Sequence, residues 1–182
     1  MLKGEVITLR PIEEGDLETL YRLQLDVEAR GPWFPRGVES LHKLRKDYQE
    51  HGFWGEKFGA ILIIDNATDK IMGEMFYFKT VDYLSELEIG YIVFDTGSRG
   101  KGATTEALRL LTDYLFDVRP VNRIRLVIAT ENAASRRVAE KNGYRHEGTM
   151  RGGWFNGGRG ERARDAYIDG ELYAITRGDV AA

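Results

Sequence analysis

The sequence predicts one α/β domain over residues 1–182, built on a mixed β-sheet. At 182 residues, 42 % hydrophobic and 30 % charged, the chain suits a soluble globular fold with a sizeable core. Strand-like and helix-like hydrophobic periodicities alternate along it in the order β-α-α-β-β-β-α-β-α-β-β. Strand–helix–strand crossovers in the second half require at least one parallel strand pair.

The first half of the chain predicts a strand, two helices and three further strands. Asp16 is a suitable N-cap for the first helix, and the Gly31–Pro32 pair ends it. A stretch rich in turn-forming residues, 66–70, joins the second and third strands as a hairpin. The approximate bounds are 5–11 for the first strand, 17–31 and 38–51 for the helices, and 57–65, 70–79 and 84–94 for the later strands.

The second half predicts two helices that alternate with strands, followed by a closing strand pair. The first of these helices reaches about Val118 and carries an apolar stripe at helical spacing, and the second ends at Asn142–Gly143. The glycine-rich loop at 152–161 contains Trp154 and Phe155, which predict either a dimer contact or a lid. The strands cover about 122–130, 144–151 and 165–176.

Composition excludes several classes of function. A formal charge of −3 gives no reason to expect a nucleic-acid or membrane partner. With no cysteine and three scattered histidines, the sequence predicts no metal site, no disulfide and no thiol nucleophile. The apolar run at the start is too short for a signal peptide and no run approaches a membrane span, so we expect a cytoplasmic protein.

One loop predicts an anion site. Residues 98–102 place Gly100 and Gly102 between Arg99 and Lys101, and a helix follows at once. Glycines let backbone N–H groups approach a ligand, and a helix N-terminus attracts an anion. The spacing does not fit a Walker loop, a dinucleotide fingerprint or a nucleophile elbow. A solvated basic loop that only caps the helix is the alternative.

The strand before this loop suggests what the anion is part of. Gly90 lies in the middle of that strand, which requires either a bulge or a close approach of another group. A strand that separates from its neighbour exposes backbone groups able to pair with an amide-bearing ligand. Coenzyme A has an amide-containing pantetheine arm attached to a diphosphate, and it matches both features.

The segment from Glu88 to Leu108 and the segment from Asn122 to Arg151 together resemble the GNAT superfamily of acyl-CoA-dependent N-acetyltransferases. The superfamily signature is matched by Arg99 and Gly102, while Thr104 replaces its small last residue. Within the superfamily, the chain is most similar to the ribosomal-protein alanine and serine N-terminal acetyltransferases. The resemblance implies a mostly antiparallel mixed sheet of about six or seven strands, about four helices, and a splayed parallel strand pair that binds acyl-CoA.

The resemblance also implies the donor site, with acetyl-CoA as co-substrate. Asn132 is expected to hydrogen-bond pantetheine, although its position equally suits a helix N-cap. The other expected contacts are backbone pairing by Ile92, Val93 and Phe94, and a pyrophosphate cradle formed by Arg99, Gly100, Lys101, Gly102, Ala103, Thr104 and Thr105.

The expected chemistry is direct attack of an amine on the thioester, because the chain has no cysteine to carry the acyl group. Glu88 is the expected base, acting through a water, with a solvated strand carboxylate as the alternative. Many members carry a tyrosine where this chain has Ala139. Ser135 matches a serine of the ribosomal branch and is expected to contact CoA and protonate the thiolate, with helix capping as its alternative.

The acceptor is expected to be an α-amine of a protein N-terminus or a small molecule, since an α-amine is far more often neutral at pH 7 than a lysine. The residues expected on the acceptor side are Trp33, Phe34, Trp54 and Glu86, for which core packing or a solvated surface is the alternative. Two other functions stay open: an acyltransferase for an antibiotic or amino-acid-like amine, and a catalytically silent acyl-CoA-binding module. A homodimer is a further expectation.

Overall fold

The computed structural model describes residues 1–26, 29–33, 37–94, 97, 100, 102–155 and 167–180. Eight strands lie within them: β1 (Leu2–Lys3), β2 (Ile7–Pro11), β3 (Phe58–Asp65), β4 (Ile71–Phe78), β5 (Glu86–Val93), β6 (Arg123–Ala129), β7 (Arg145–Phe155) and β8 (Tyr167–Thr176). They form a single sheet in the order β1-β2-β3-β4-β5-β6-β8-β7. All neighbours are antiparallel except β5 and β6, which are parallel.

Helices cover both faces of this sheet. They are α1 (Leu17–Leu25), α2 (Leu41–His51), α3 (Ala103–Val118), α4 (Ala133–Lys141) and α5 (Arg177–Val180), with a 3₁₀ turn at Glu14–Asp16. On one face, the apolar stripe of α3 and Ala139 of α4 pack into the larger core. On the other face, α1 and α2 contribute Leu17, Leu20 and Leu44 to a second core. No helix of the described residues is long and apolar enough to cross a membrane.

The two cores explain the unbroken apolar run in β3. Leu62 and Ile64 belong to the core under α1 and α2, whereas Ile61 and Ile63 belong to the core under α3. Successive side chains of a strand point to opposite faces, so a strand covered on both sides needs apolar residues at every position. The unbroken apolar run therefore indicates a strand that is covered by helices on both faces of the sheet.

The parallel joint between β5 and β6 is short. Its ladder consists of three residue pairs, from Glu86–Arg123 to Glu88–Arg125. Beyond it β5 stays paired with β4 as far as Val93, and β6 stays paired with β8 as far as Ala129. Among the described residues no later β5–β6 pair follows, so the two strands diverge and leave a wedge between their facing edges.

Gly90 is required by a close approach. The β4–β5 register runs without a shift through this position, where Gly90 faces Phe76. A Cβ at Gly90 would lie 2.2 Å from Cε2 of the Phe76 ring. Of the two explanations that the sequence offered for this glycine, the structure therefore shows the close approach, and it shows no bulge between β4 and β5.

The predicted order of elements is confirmed, with four differences. Helix α1 ends at Leu25, with Asp26 as its C-cap, and does not continue to the predicted end at Gly31–Pro32. β1 and α5 are too short for a periodicity to reveal, and they raise the numbers of strands and helices. Helix α2 begins later than expected because Ser40 caps it, its hydroxyl accepting from the N–H of Lys43 at 3.2 Å. β7 continues through Trp154 and Phe155, which pair with Ile168 and Tyr167, so these aromatic residues lie in a strand and not in a loop.

Candidate active site

The glycine loop leads directly into α3. Gly100 and Gly102 have φ values of 82° and 89°, in the left-handed region that glycine adopts without strain. Gly102 is the N-cap, and the helix begins at Ala103. The first N–H groups of a helix have no partner within it, so those of Ala103, Thr104 and Thr105 form a natural anion site. The predicted cations Arg99 and Lys101 lie outside the described residues.

The wedge lies beside this loop. Ile92 and Val93 are in the part of β5 that has left β6, and Phe94 follows directly. Ile92 and Phe94 are buried in the core under α1 and α2. Their side chains therefore point away from the wedge, and backbone groups form the strand edge that faces it. An extended amide ligand is the kind of molecule that such an edge binds.

Asn132 and Ser135 begin α4, which follows β6. The side-chain oxygen of Asn132 accepts from the N–H of Ser135 at 3.1 Å, so the capping role that the sequence allowed is present. The Ser135 hydroxyl points instead to Tyr91 of β5, with 2.6 Å between the two oxygens. This contact joins β5 to α4 beyond the point where the β5–β6 ladder ends.

Tyr91 is a site residue that the sequence analysis missed. Burial raises the pKa of its phenol to about 12, although the hydrogen bond with Ser135 acts to lower it. The phenol therefore stays protonated at neutral pH and has a proton to share with Ser135. Strand alternation contained the signal, because it places Tyr91 on the face opposite Ile92, toward α3 and α4.

A cavity of about 790 Å³ opens on the other face of the sheet, between α1, α2 and strands β3 to β5. Its walls combine apolar side chains with six acidic or basic side chains. The apolar walls include Tyr21, Val38, Leu44, Phe53, Phe58, Ala60 and Ile92, and the charged groups are Arg30, Glu39, Lys43, Asp47, Lys57 and Glu74. Ile92 lines this cavity with its side chain while its backbone borders the wedge.

Glu74 is the second residue that the sequence analysis missed. It pairs with Ile92 in the β4–β5 register and lines the cavity next to it. The amide of Gln24, on α1, donates to its carboxyl at 3.1 Å. Burial raises the pKa of Glu74 to about 7, because the amide hydrogen bond offsets only part of the desolvation. A lone acid in the apolar stretch 71–78 was the available signal.

Glu86 and Glu88, expected at the acyl and acceptor site, take part in an ionic network at the parallel joint. Glu86 is 4 % exposed and binds Arg123 and Arg125, both at 3.0 Å. Glu88 binds Arg125 at 2.9 Å. Burial raises the pKa of Glu88 and Arg125 acts to lower it. Both carboxylates are thus bound by arginine side chains. Both also belong to the β5 residues that form the three-pair ladder with β6.

The predicted acceptor-side aromatic residues separate. Trp54 packs into the core under α3, edge to face with Tyr77 at a centroid distance of 5.4 Å and near Tyr114 at 6.1 Å. The structure thus places Trp54 in the packing role, whereas its neighbour Phe53 lines the cavity. Trp33 lies in the turn after α1, partly buried. Phe34 lies outside the described residues.

A mixed sheet with a splayed parallel pair, a glycine loop and a helix N-terminus at its open end defines an acyl-CoA-binding α/β protein. The family description "Acetyltransferase (GNAT) domain" matches residues 7–145. The chain belongs to this family, and it is an acetyl-CoA-dependent N-acetyltransferase.

Individual relatives agree with this assignment. The probable N-acetyltransferase YjcK of Bacillus subtilis (strain 168) is 34 % identical over 83 % of this chain and 87 % of that protein. The ribosomal-protein-serine acetyltransferase of Escherichia coli (strain K12) is 24 % identical over 94 % of this chain and 93 % of that protein. The crystal structure of spermidine N-acetyltransferase from Vibrio cholerae in complex with CoA and spermine superposes with a TM-score of 0.81, at 22 % identity, over 98 % of this chain and all of that one.

Proposed function

We propose that this protein transfers the acetyl group of acetyl-CoA directly to a primary amine, either the α-amine of a protein N-terminus or that of a small molecule. One observation carries the proposal. The wedge that suits the donor and the cavity that suits the acceptor meet at Ile92, which borders the first with its backbone and the second with its side chain. A thioester in the wedge would thus lie beside an amine in the cavity.

The donor contacts follow from the backbone geometry. Pantetheine would pair with the edge of β5 that faces the wedge, at Ile92 to Phe94, and the amide of Asn132 would bind it from α4. The pyrophosphate would rest on the loop and first helical turn from Arg99 to Thr105. The left-handed glycines and the α3 N-terminus support this cradle, because glycine lets a ligand approach the backbone closely and the first N–H groups of a helix have no partner within it.

The chemistry requires three groups in addition to the bound substrates. Backbone N–H groups near Ile92 and Val93 would stabilise the oxyanion that forms as the amine attacks the thioester carbon. The new carbon–nitrogen bond then replaces the carbon–sulfur bond, and the departing thiolate takes a proton from the Ser135 hydroxyl. Tyr91 is positioned to resupply Ser135, since their oxygens are 2.6 Å apart.

An α-amine is the nucleophile that this site favours. With a pKa of about 7.7–8.0, an α-amine is neutral in roughly a tenth of molecules at pH 7, against fewer than about one in a thousand for a lysine. The relatives named above act on amines of both kinds of source, a ribosomal protein in one case and spermidine in the other. Those substrates are theirs, and they support the reaction class here.

Release of the CoA thiol, followed with a thiol reagent across a panel of amines, tests the proposal. We expect turnover with peptides carrying a free N-terminus or with small primary amines, and none with the same compounds after N-acetylation. Turnover confined to antibiotic or amino-acid-like amines would assign the protein to the alternative substrate class. Tight acetyl-CoA binding with no turnover of any amine would contradict the proposal and identify a silent acyl-CoA-binding module.

A further inference from the structure

With the acceptor held in the cavity between α1, α2 and the sheet, we propose that this acceptor is a primary amine bearing one positive charge and an apolar body, and that the Glu74 carboxylate receives the amine's proton. This inference rests on the proposed function and names its acceptor class. It also assigns the base to Glu74 on β4, whereas the sequence had pointed to Glu88.

The position of Glu74 supports this role. Ile92 faces it directly across the β4–β5 pair and both residues line the cavity, so Glu74 lies one strand away from the edge of β5 where the thioester would be held. Gln24 binds one carboxylate oxygen at 3.1 Å and orients the group from α1. A carboxylate within hydrogen-bond reach of the reacting nitrogen is the geometric requirement for a general base.

The charges of the cavity wall indicate how many positive charges the acceptor carries. The described wall has three carboxylates and three guanidinium or ammonium groups, so their formal charges cancel. Lys43 binds Glu39 at 3.2 Å and also contacts Asp47, so both of these acids already have a cationic partner. Among the acids of the described wall, Glu74 is the one that accepts a hydrogen bond from a neutral amide, that of Gln24. A polyamine needs several available carboxylates, whereas one ammonium group needs one.

The rest of the wall indicates what accompanies the amine. Val38 and Phe58 are 53 % and 46 % exposed at the cavity, and Tyr21, Leu44 and Phe53 continue an apolar surface inward. Exposed apolar side chains around a concave site favour a ligand that covers them. An N-terminal residue with an apolar side chain and the free amide of an apolar amino acid share this chemistry, since both present an α-amine, and they differ in whether a peptide chain extends from it.

The proposed proton transfers balance. The bound ammonium gives one proton to the Glu74 carboxylate and becomes a neutral amine, whose lone pair attacks the thioester carbon. The carbon–nitrogen bond forms, and the carbon–sulfur electron pair leaves with sulfur. The thiolate takes a proton from Ser135, and the second nitrogen-bound proton, which is lost to solvent as the acetamide forms, is balanced by the solvent proton that restores the Ser135–Tyr91 pair. Glu74 then releases its proton to solvent, so the products are the acetamide, the CoA thiol and one proton.

The test is the Glu74→Gln variant, compared with wild type and with Glu50→Gln as a matched control. Glu50 is an exposed acid of the neighbouring α2, paired at 3.8 Å with Lys46. We expect Glu74→Gln to lower kcat/KM for the amine by about 10²- to 10⁴-fold, as for loss of a general base. Its kcat/KM–pH profile should lose a limb near pH 7 that wild type and Glu50→Gln retain.

Acetyl-CoA affinity, measured by calorimetry, confirms that each variant is folded, and we expect it to be unchanged in Glu74→Gln. Retention of both full turnover and the limb near pH 7 in this variant would overturn the assignment. So would transfer of both losses to a Glu88→Gln variant. These outcomes require a wild-type enzyme that acetylates amines, so they differ from failure of the proposed function, in which wild type itself has no turnover.

A substrate series tests the acceptor class. We expect phenylalanine amide or a dipeptide amide with an N-terminal apolar residue to be acetylated with a kcat/KM at least about tenfold above that of spermidine. Comparing phenylalanine amide with the dipeptide amide distinguishes the two sources. A preference for spermidine over both would overturn the assignment of a singly charged acceptor.

Discussion

At the scale of single residues, the Tyr91–Ser135 pair is the contact most closely tied to chemistry. It crosses the wedge from β5 to α4, and its oxygens are 2.6 Å apart. The phenol has a pKa of about 12, so it donates a proton and is not a base at neutral pH. The pair thus offers a route by which a proton reaches a thiolate held between the two strands.

We expect Tyr91→Phe to lower kcat by about tenfold to a hundredfold while leaving the KM for acetyl-CoA nearly unchanged, because the ring still packs but the proton source is lost. Steady-state kinetics by thiol release would show this division. The control is Tyr83→Phe, because Tyr83 is exposed. Tyr21→Phe is unsuitable as a control because Tyr21 lines the proposed acceptor cavity. A purely structural tyrosine would instead show an unchanged kcat and a lower melting temperature.

Sequence reasoning succeeded and failed at this scale for identifiable reasons. Gly100 and Gly102 were predictable, since their left-handed φ values leave few other choices. Glu74 and Tyr91 were missed because their significance comes from neighbours distant in sequence, Gln24 and Ser135 respectively. Glu88 was favoured for its closeness to Gly90, but pairing with Arg125 is a tertiary fact that spacing does not reveal.

At the scale of elements, Glu106 ties α3 to the start of the sheet. Its carboxylate accepts from the backbone N–H groups of Glu5, Val6 and Ile7 at 2.6, 3.0 and 3.0 Å. It also fills the space beside Gly4, where a Cβ would lie 2.4 Å from its carboxyl carbon. One side chain therefore holds the first turn of α3, and with it the glycine loop, against β2.

We expect Glu106→Gln to reduce the free energy of unfolding by about 1–3 kcal/mol, since it removes charge-assisted hydrogen bonds and leaves one N–H opposite an amide donor. Urea unfolding measures the loss. The control is Asp113→Asn on the same helix, whose exposed pair with Arg109 should contribute less than about 1 kcal/mol. Equal losses in the two variants would contradict the proposed tie.

This contribution should depend on pH in a defined direction. Burial acts to raise the pKa of Glu106, but the three N–H donors outweigh it and lower the folded-state pKa below its ordinary value. The stabilisation is therefore complete above the unfolded-state pKa and is lost as pH falls through the folded-state pKa. The difference between wild type and Glu106→Gln should accordingly shrink in acid.

Most elements were predictable because each carries its own periodicity or cap. The sequence-based bounds are wrong where the local sequence does not determine the structure without its tertiary partners. The end of β7 is rich in glycine, and this composition predicts a loop. Trp154 and Phe155 nevertheless pair with β8 and extend the strand. Backbone pairing with β8 therefore keeps this segment in a strand conformation, which its glycine content alone does not indicate.

At the scale of the whole molecule, the sheet consists of two antiparallel parts, β1 to β5 and β6 to β8, joined by three residue pairs. Charge reinforces the joint, since Glu86 and Glu88 on one strand bind Arg123 and Arg125 on the other. The sequence predicted a parallel pair from its crossovers, and the family resemblance supplied the splay. Neither gave the length of the joint, which depends on where the strands separate.

We expect acetyl-CoA to slow amide hydrogen exchange most in residues 89–94 and 126–132, which border the wedge, and least in β3, whose amides are already paired on both sides. Exchange followed by mass spectrometry with and without acetyl-CoA measures this. Desulfo-CoA would serve as a control that binds without donating an acetyl group. Equal protection across β3 and the wedge would contradict the proposed donor site.

The short joint also connects catalysis with the persistence of the enzyme. A donor seated in the wedge acts as a missing strand, and each bound molecule bridges two parts that otherwise share few backbone contacts. By mass action, donor at a hundred times its Kd adds about 2.7 kcal/mol to the free energy of unfolding. The amount of folded enzyme in a cell would then rise and fall with the concentration of its own donor, so the stability of the fold would depend on the acyl-CoA that the enzyme uses.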